Sequence, residues 1–131
     1  MDDRHIPDVV QRFVLTNLHS VEQLEVLLHL RKNPDREWSA ESVSDALRTT
    51  PTSVASRLKD LHSRGLISRR QAGQVAVYRY LPPAGIKSAI DSLAQLYGTH
   101  RVRIIALLYP RPAEAIRWFS DAFRLRKDDE E

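Results

Sequence analysis

The chain has 131 residues, 42% hydrophobic and 28% charged, with a formal net charge of +3, the composition of one ordinary globular domain with a short extension, which excludes general disorder. It contains no cysteine, which excludes disulfides, thiolate zinc sites, iron–sulfur clusters and cysteine nucleophiles and fits a reducing, cytoplasmic setting. The polar start Met1-Asp2-Asp3-Arg4-His5 does not read as a secretory signal, the longest apolar run, Ile104 to Tyr109, is far short of the ~20 residues that span a bilayer, and four glycines without a glycine-rich loop argue against a nucleotide-binding fold.

Pro7, followed by Val9, Val10, Phe13, Val14 and Leu18, predicts an N-terminal helix with the proline at its first position. Ser20 with Gln23 three residues later is a capping box, in which each side chain satisfies an orphan backbone donor. Leu24, Leu27, Leu28 and Arg31 carry this second helix to Asn33-Pro34, which stops it. Asp35 to Trp38 reads as short and extended. Ser39 caps a short third helix, with Glu41 at its positive end and Val43, Ala46 and Leu47 as its apolar stripe. Thr49-Thr50-Pro51 breaks the chain and restarts it, Thr50 as cap and Pro51 at the first helical position. This fourth helix buries Val54, Leu58 and Leu61 and runs to Gly65, where a left-handed C-cap is expected.

After Gly65 the period changes to two. Leu66 to Arg70 and Val75 to Leu81 read as strands around a turn at Gln71-Ala72-Gly73-Gln74. Val75 and Val77 lie on one face, Ala76, Tyr78 and Tyr80 on the other. Pro82-Pro83 ends the hairpin. From Ala84 onward Ile86, Ile90, Leu93, Tyr97, Arg101, Ile104 and Leu108 advance by four or three, a register that passes through Gly98 and predicts one helix of about 25 residues, with any bend at Gly98. Pro110-Arg111-Pro112 breaks it. A last helix carries Ala115, Ile116, Phe119, Ala122 and Phe123, and the tail from Lys127 to Glu131 is charged and frayed.

Charge is unevenly placed along the chain. Residues 1–50 carry six Lys/Arg against nine Asp/Glu, whereas residues 51–80 carry six basic side chains against Asp60 alone. A basic window of this kind is the footprint of a phosphate-backbone binder; a merely solvated basic surface would look the same. Its context points further. Short helix, tight turn, second helix ending in glycine, then a β-hairpin is the order of a winged helix-turn-helix: mainly α, with a small β-hairpin wing and a C-terminal helical extension. Residues 1–82 form the DNA-binding unit and 83–131 the extension. The major groove, about 12 Å wide, admits one helix, and the polar face of the fourth helix suits it. Thr52, Ser53, Ser56 and Arg57 are the candidate base readers, with Arg57 suited to bidentate contact with guanine. Thr50, Lys59 and Arg64 on the helix, and Arg69, Arg70, Gln71 and Gln74 on the hairpin, are the candidate phosphate and wing contacts. The competing role for Arg69 and Arg70 is protection of an edge strand.

The stretch from Ser39 to Leu47, then Thr49 to Leu61, then Arg64-Gly65-Leu66-Ile67-Ser68-Arg69-Arg70, resembles winged-helix bacterial transcriptional regulators of the MarR, ArsR and PadR kind. The junction of helix, Gly-Leu-Ile and basic strand is its most specific part, and the similarity covers roughly residues 20–81. The resemblance implies a homodimer on pseudo-palindromic double-stranded DNA, with Pro51 to Arg64 as recognition helix. The C-terminal 50 residues carry no subfamily signature, and the cysteine metal sites of ArsR-like sensors are lacking.

Other chemistry is poorly supported. His5, His19, His29, His62 and His100 lack metal-ligand spacing; Asp35, Glu37 and Glu41 suit a helix start rather than acid–base work; no nucleophile context surrounds any serine. The chain is therefore expected to be no enzyme and to need neither metal nor cofactor. Trp38, Trp118, Tyr78, Tyr80 and Tyr97 could stack on single-stranded bases, although packing is the commoner use. A winged-helix module that docks a protein partner without binding DNA is the alternative from another class. The partners implied are double-stranded DNA and a second copy of the chain, with no membrane; an unidentified protein partner or small-molecule effector stays open beside them. Apolar positions on more than one face of the C-terminal helices make Ile86, Ile90, Leu93, Tyr97, Ile105, Leu108 and Phe119 the candidate dimer contacts.

Overall fold

The computed structural model describes residues 6–109. In chain order the elements are α1 (Asp8–Asn17), α2 (Val21–Lys32), β1 (Trp38–Ser39), α3 (Ala40–Leu47), α4 (Pro51–Ser63), β2 (Ile67–Ala72), β3 (Val75–Tyr80), α5 (Ala84–Thr99) and α6 (Arg101–Leu108). Pro7 stands just before α1, its carbonyl accepting from Val10 and Gln11. The last predicted helix, which carries Trp118 and Phe119, lies outside the described residues.

Local chemistry sets the helix ends. Ser20 accepts from the Gln23 N–H at 3.0 Å, but Gln23 Oε1 reaches back to the His19 N–H at 2.6 Å instead of to Ser20, so the expected capping box is shifted by one residue at its return bond. Ser39 and Ser42 form a reciprocal box at the start of α3, with serine taking the place usually held by Glu or Gln. At the end of α4, Leu66 N–H bonds to Leu61 O at 3.1 Å and Gly65 N–H to His62 O at 2.9 Å, a Schellman closure that requires the left-handed φ of +77° at Gly65. The turn between α3 and α4 is closed by Arg48, a non-glycine residue at φ +57°.

The sheet is three-stranded and antiparallel, in the order β1-β3-β2. The segment expected only to be extended thus supplies a strand: Trp38 pairs with Tyr78, and Ser39 with Val77. Tyr78 and Tyr80 face the core as the alternation requires, and Trp38 joins them there. Its ring meets His29 edge-on, with centroids 4.5 Å apart, and is covered outside by the Arg36 guanidinium. The core runs from Ile6, Val10 and Val14 through Leu24, Leu27 and Leu30 to Val54, Leu58 and Leu61 of α4, and on to Ile90, Leu93 and Ile104. The helices after Pro83 therefore share one core with the segment before it.

Two expectations for the C-terminal half need correction. The helix from Ala84 is not continuous to Tyr109. It ends at Thr99, and His100, at φ −129° and ψ 45°, separates it from α6. The break comes after Gly98 rather than at it. His100 N–H closes α5 on Leu96 O, and its carbonyl opens α6 by accepting from Ile104. The bend lets α6 return to α1 with Ile104 fully buried; tertiary packing outweighs an unbroken register. Second, Ile90 and Leu93, expected at a dimer interface, are fully buried in the chain's own core, because α5 packs against α1 of the same chain. Ile86, Tyr97, Ile105 and Leu108 are half-buried, and Tyr97 donates to Glu25 at 3.2 Å.

Two glycines test these backbone assignments. A Cβ at Gly65 or at Gly85 meets nothing within 4 Å, so only backbone conformation distinguishes them. Gly65→Ala is expected to lower stability by about 1–2 kcal/mol, and Gly85→Ala, in the first turn of α5, to raise it by about 0.4–1 kcal/mol, both read as shifts in the urea midpoint.

Candidate nucleic-acid interface

The α4 helix is tethered at its start by Thr50, whose hydroxyl accepts from Ser53 N–H at 3.3 Å, with Pro51 at the first helical position. Its inner stripe, Val54, Leu58 and Leu61, is fully buried. That leaves Thr52, Ser56, Lys59 and Ser63 exposed along the opposite face, short hydroxyls and one flexible cation on a surface free of bulky apolar groups.

Ser53 and Arg57 lie between the inner and outer stripes, half-buried, and both turn toward α2. Glu22 receives them. Its Oε1 accepts from Arg57 Nε at 3.0 Å and from the Ser53 hydroxyl, and its Oε2 accepts from Thr49 Oγ1 at 2.9 Å. Partial burial pushes the Glu22 carboxyl up, but hydrogen bonds from Ser53, Thr49 and Arg57, with the Arg57 charge, outweigh it and hold the group below the ordinary carboxylate range. Sequence reasoning missed Glu22: an acid in the first turn of a helix is explained well enough by the helix dipole, and no periodicity links it to residues 27 to 35 positions away.

The next residue holds the other end of the helix. Gln23 is buried and donates to Asp60 and to Asn17 O. Asp60 in turn accepts from Arg64 Nε at 3.1 Å, while Arg64 Nη1 bonds Thr16 O at 2.9 Å and Nη2 meets His19. Arg64, expected to contact phosphate, is thus engaged in fastening the end of α4 to the α1–α2 junction.

In the wing, β2 and β3 are paired from Ile67–Tyr80 to Ala72–Val75, and Gly73 at φ +65° makes the turn. Gln71 donates to Gly73 O at 3.1 Å and accepts from Arg69 at 3.2 Å. Arg70 makes a two-pronged pair with Glu37, at 2.8 and 2.7 Å. The Arg70 hydrogen bond is the main cause that holds the Glu37 carboxyl low, with Arg79 adding its charge. Arg70 is therefore paired, whereas Lys59 and Arg69 have no carboxylate partner among the described residues. Gln74 is exposed at the tip. Tyr78 and Tyr80 are 4% and 5% exposed, too covered to stack on bases, which overturns single-strand recognition through them. Burial, reinforced by the Asp91 charge, pushes Tyr80 up to about 12.

Among the described residues no helix is long and apolar enough to cross a membrane. No family model matches the chain, and no curated protein does. Solved structures do. HlyU from Vibrio cholerae N16961 has a TM-score of 0.55 and 22% identity, covering 76% of this chain and 100% of that one. A possible transcriptional regulator from Methanosarcina mazei Go1 has a TM-score of 0.54 and 20% identity, covering 71% and 81%. MepR from Staphylococcus aureus, as an F27L mutant bound to an oligodeoxyribonucleotide, has a TM-score of 0.54 and 13% identity, covering 91% and 86%. The helix order, the three-stranded sheet with its hairpin and these likenesses together establish the winged helix-turn-helix fold.

The lowered Glu22 group carries a pH signature. Its stabilisation is complete above the ordinary carboxylate range and is lost as pH falls through the lowered value. Glu22→Gln is therefore expected to be less stable than the parent chain at neutral pH, with the gap in urea midpoint closing as the solution is acidified; a gap that stays constant would refute the assignment.

Proposed function

We propose that the chain is a sequence-specific, double-stranded DNA-binding transcriptional regulator, acting in the cytoplasm as a homodimer and performing no catalysis. The observation that carries this reading is the outer face of α4, where Thr52, Ser56 and Lys59 stand clear of the core beside Arg57, on a fold shared with a MepR structure bound to an oligodeoxyribonucleotide. A helix with short polar side chains and a few long donors can approach base edges closely. Thr52, Ser53, Ser56 and Arg57 read bases. Lys59 and Arg69, with Thr50, Gln71 and Gln74, contact the backbone, while Arg64 and Arg70 contribute mainly by shaping the helix end and the wing. Support for self-association comes from α6 and the residue that follows it, where Val102 is 81% exposed and Tyr109 60%, next to half-buried Ile105 and Leu108. Doubling the contacts about a two-fold axis supplies affinity and spacing selectivity together.

Selection from a random duplex library is expected to enrich a dyad-symmetric motif, and enrichment of nothing would sink the reading. With that motif in hand, Arg57→Ala should cost about 1–3 kcal/mol on the selected duplex and far less on random DNA. Lys59→Ala should weaken both alike and make the salt dependence shallower by about one phosphate. Light scattering of the full chain should give the mass of a dimer, reduced to that of a monomer by Val102→Asp.

A further inference from the structure

We infer that Glu22 is the positioning residue for base reading: it holds Arg57 and Ser53 in a single arrangement in which only part of each side chain's hydrogen-bonding capacity remains available to a duplex. The inference rests on the proposed DNA-binding reading and goes beyond it by assigning specificity to a residue on α2, outside the recognition helix.

The geometry is specific about which atoms are left. Arg57 spends its Nε on Glu22 Oε1 at 3.0 Å, and its two terminal nitrogens have no hydrogen-bond partner among the described residues. A bidentate contact with guanine O6 and N7 can be made by that terminal pair. An arginine already held at Nε needs to surrender less rotamer freedom when it binds, so more of the contact energy appears as discrimination. Ser53 gives its only hydroxyl proton to the same carboxylate. It then meets DNA solely as an acceptor, suited to the amino groups of adenine or cytosine and not to guanine O6 or thymine O4. Thr49 is tied to the other carboxylate oxygen, which joins the turn before α4 to the same anchor.

Glu22 also places a negative charge beside the duplex, which opposes binding to any sequence. Positioning and repulsion therefore act in opposite directions on random DNA and in concert on selectivity. Glu22→Gln removes the charge and slackens the grip on Arg57. Affinity for a random duplex should rise about threefold, as expected for one unit of charge near the backbone, while the ratio of selected to random affinity falls roughly tenfold, part of the value of one bidentate base contact. A merely structural role would lower both affinities together. A merely inhibitory pairing would raise both and leave the ratio unchanged.

The experiment measures anisotropy titrations of the full chain on its selected duplex and on a scrambled one at fixed salt. The proteins are the parent chain, Glu22→Gln, Arg57→Ala and the double variant. Asp45→Asn, at an exposed α3 acid, controls for charge alone. The expected result is a fall in ratio for Glu22→Gln that disappears in the Arg57→Ala background, with Asp45→Asn leaving the ratio intact. A ratio unaffected by Glu22→Gln, or lowered equally with and without Arg57, overturns the inference while leaving the DNA-binding reading standing. Should Glu22→Gln fold poorly, Glu22→Asp, which keeps the charge but shortens its reach, must show the fall in ratio without the rise in random affinity. A parent chain that selects no duplex overturns the DNA-binding reading itself.

Discussion

Two consecutive side chains in the first turn of α2 determine how α4 is presented. Glu22 binds the start of α4 through Thr49, Ser53 and Arg57, and Gln23 binds its end through Asp60. Apolar contacts at Val54, Leu58 and Leu61 hold the helix against the core, but dispersion and hydrophobic burial are nearly indifferent to small rotations about the helix axis. Hydrogen bonds are directional, and a pair of them on one flank removes that freedom. Which stripe of α4 faces outward, and hence whether Thr52, Ser56 and Lys59 form a usable surface, depends on this tether.

The network beyond Asp60 extends the same constraint. Arg64 joins Asp60, Thr16 and His19, so a surface-type residue becomes a brace between the end of α4 and the α1–α2 junction. The Schellman closure at Gly65 then turns the chain directly into β2. Helix end, brace and hairpin root lie within a few residues of one another, which makes the orientation of the wing a consequence of how α4 is held. On the opposite side of the sheet's central strand, Trp38 contributes β1 and places Glu37 within reach of Arg70. The wing's charge is thereby set by a residue from the segment before α3.

Most of this architecture is legible in the sequence because its signals are local. Caps at Ser20, Ser39 and Thr50, Pro51 at a helix start, the glycine at 65 and the switch from helical to alternating period each report on neighbours a few residues away. What escapes are interactions between distant segments. The strand at Trp38–Ser39 is two residues long, too short for a period, and exists because β3 offers it an edge. The break at His100 lies in an apolar register that continues through it, and only the return of α6 to α1 selects the bent path. Glu22 is invisible for the same reason: three donors converge on it from the far side of α3. Candidate site residues were recognisable as a polar face, yet the division of labour among them, Arg57 as held donor and Arg64 as brace, depends on partners that sequence spacing does not encode.

That division changes what the basic window means. Six cations stand between residues 51 and 80 against one acid, but in the folded chain Arg57, Arg64 and Arg70 are engaged by Glu22, Asp60 and Glu37, two of them acids from outside the window. Of the six, Lys59, Arg69 and Arg79 remain without an ion pair among the described residues. Counterion release scales with the number of phosphates neutralised, so a window with three uncommitted cations supplies less sequence-independent affinity than its six basic residues suggest. On the proposed reading this favours selectivity: weak attraction to any one stretch of backbone leaves discrimination to the held face of α4. It also explains why a second copy would be needed. Two such surfaces on a symmetry axis double the phosphate contacts without adding charge to either, and require a matched pair of half-sites at fixed spacing before the sum is realised.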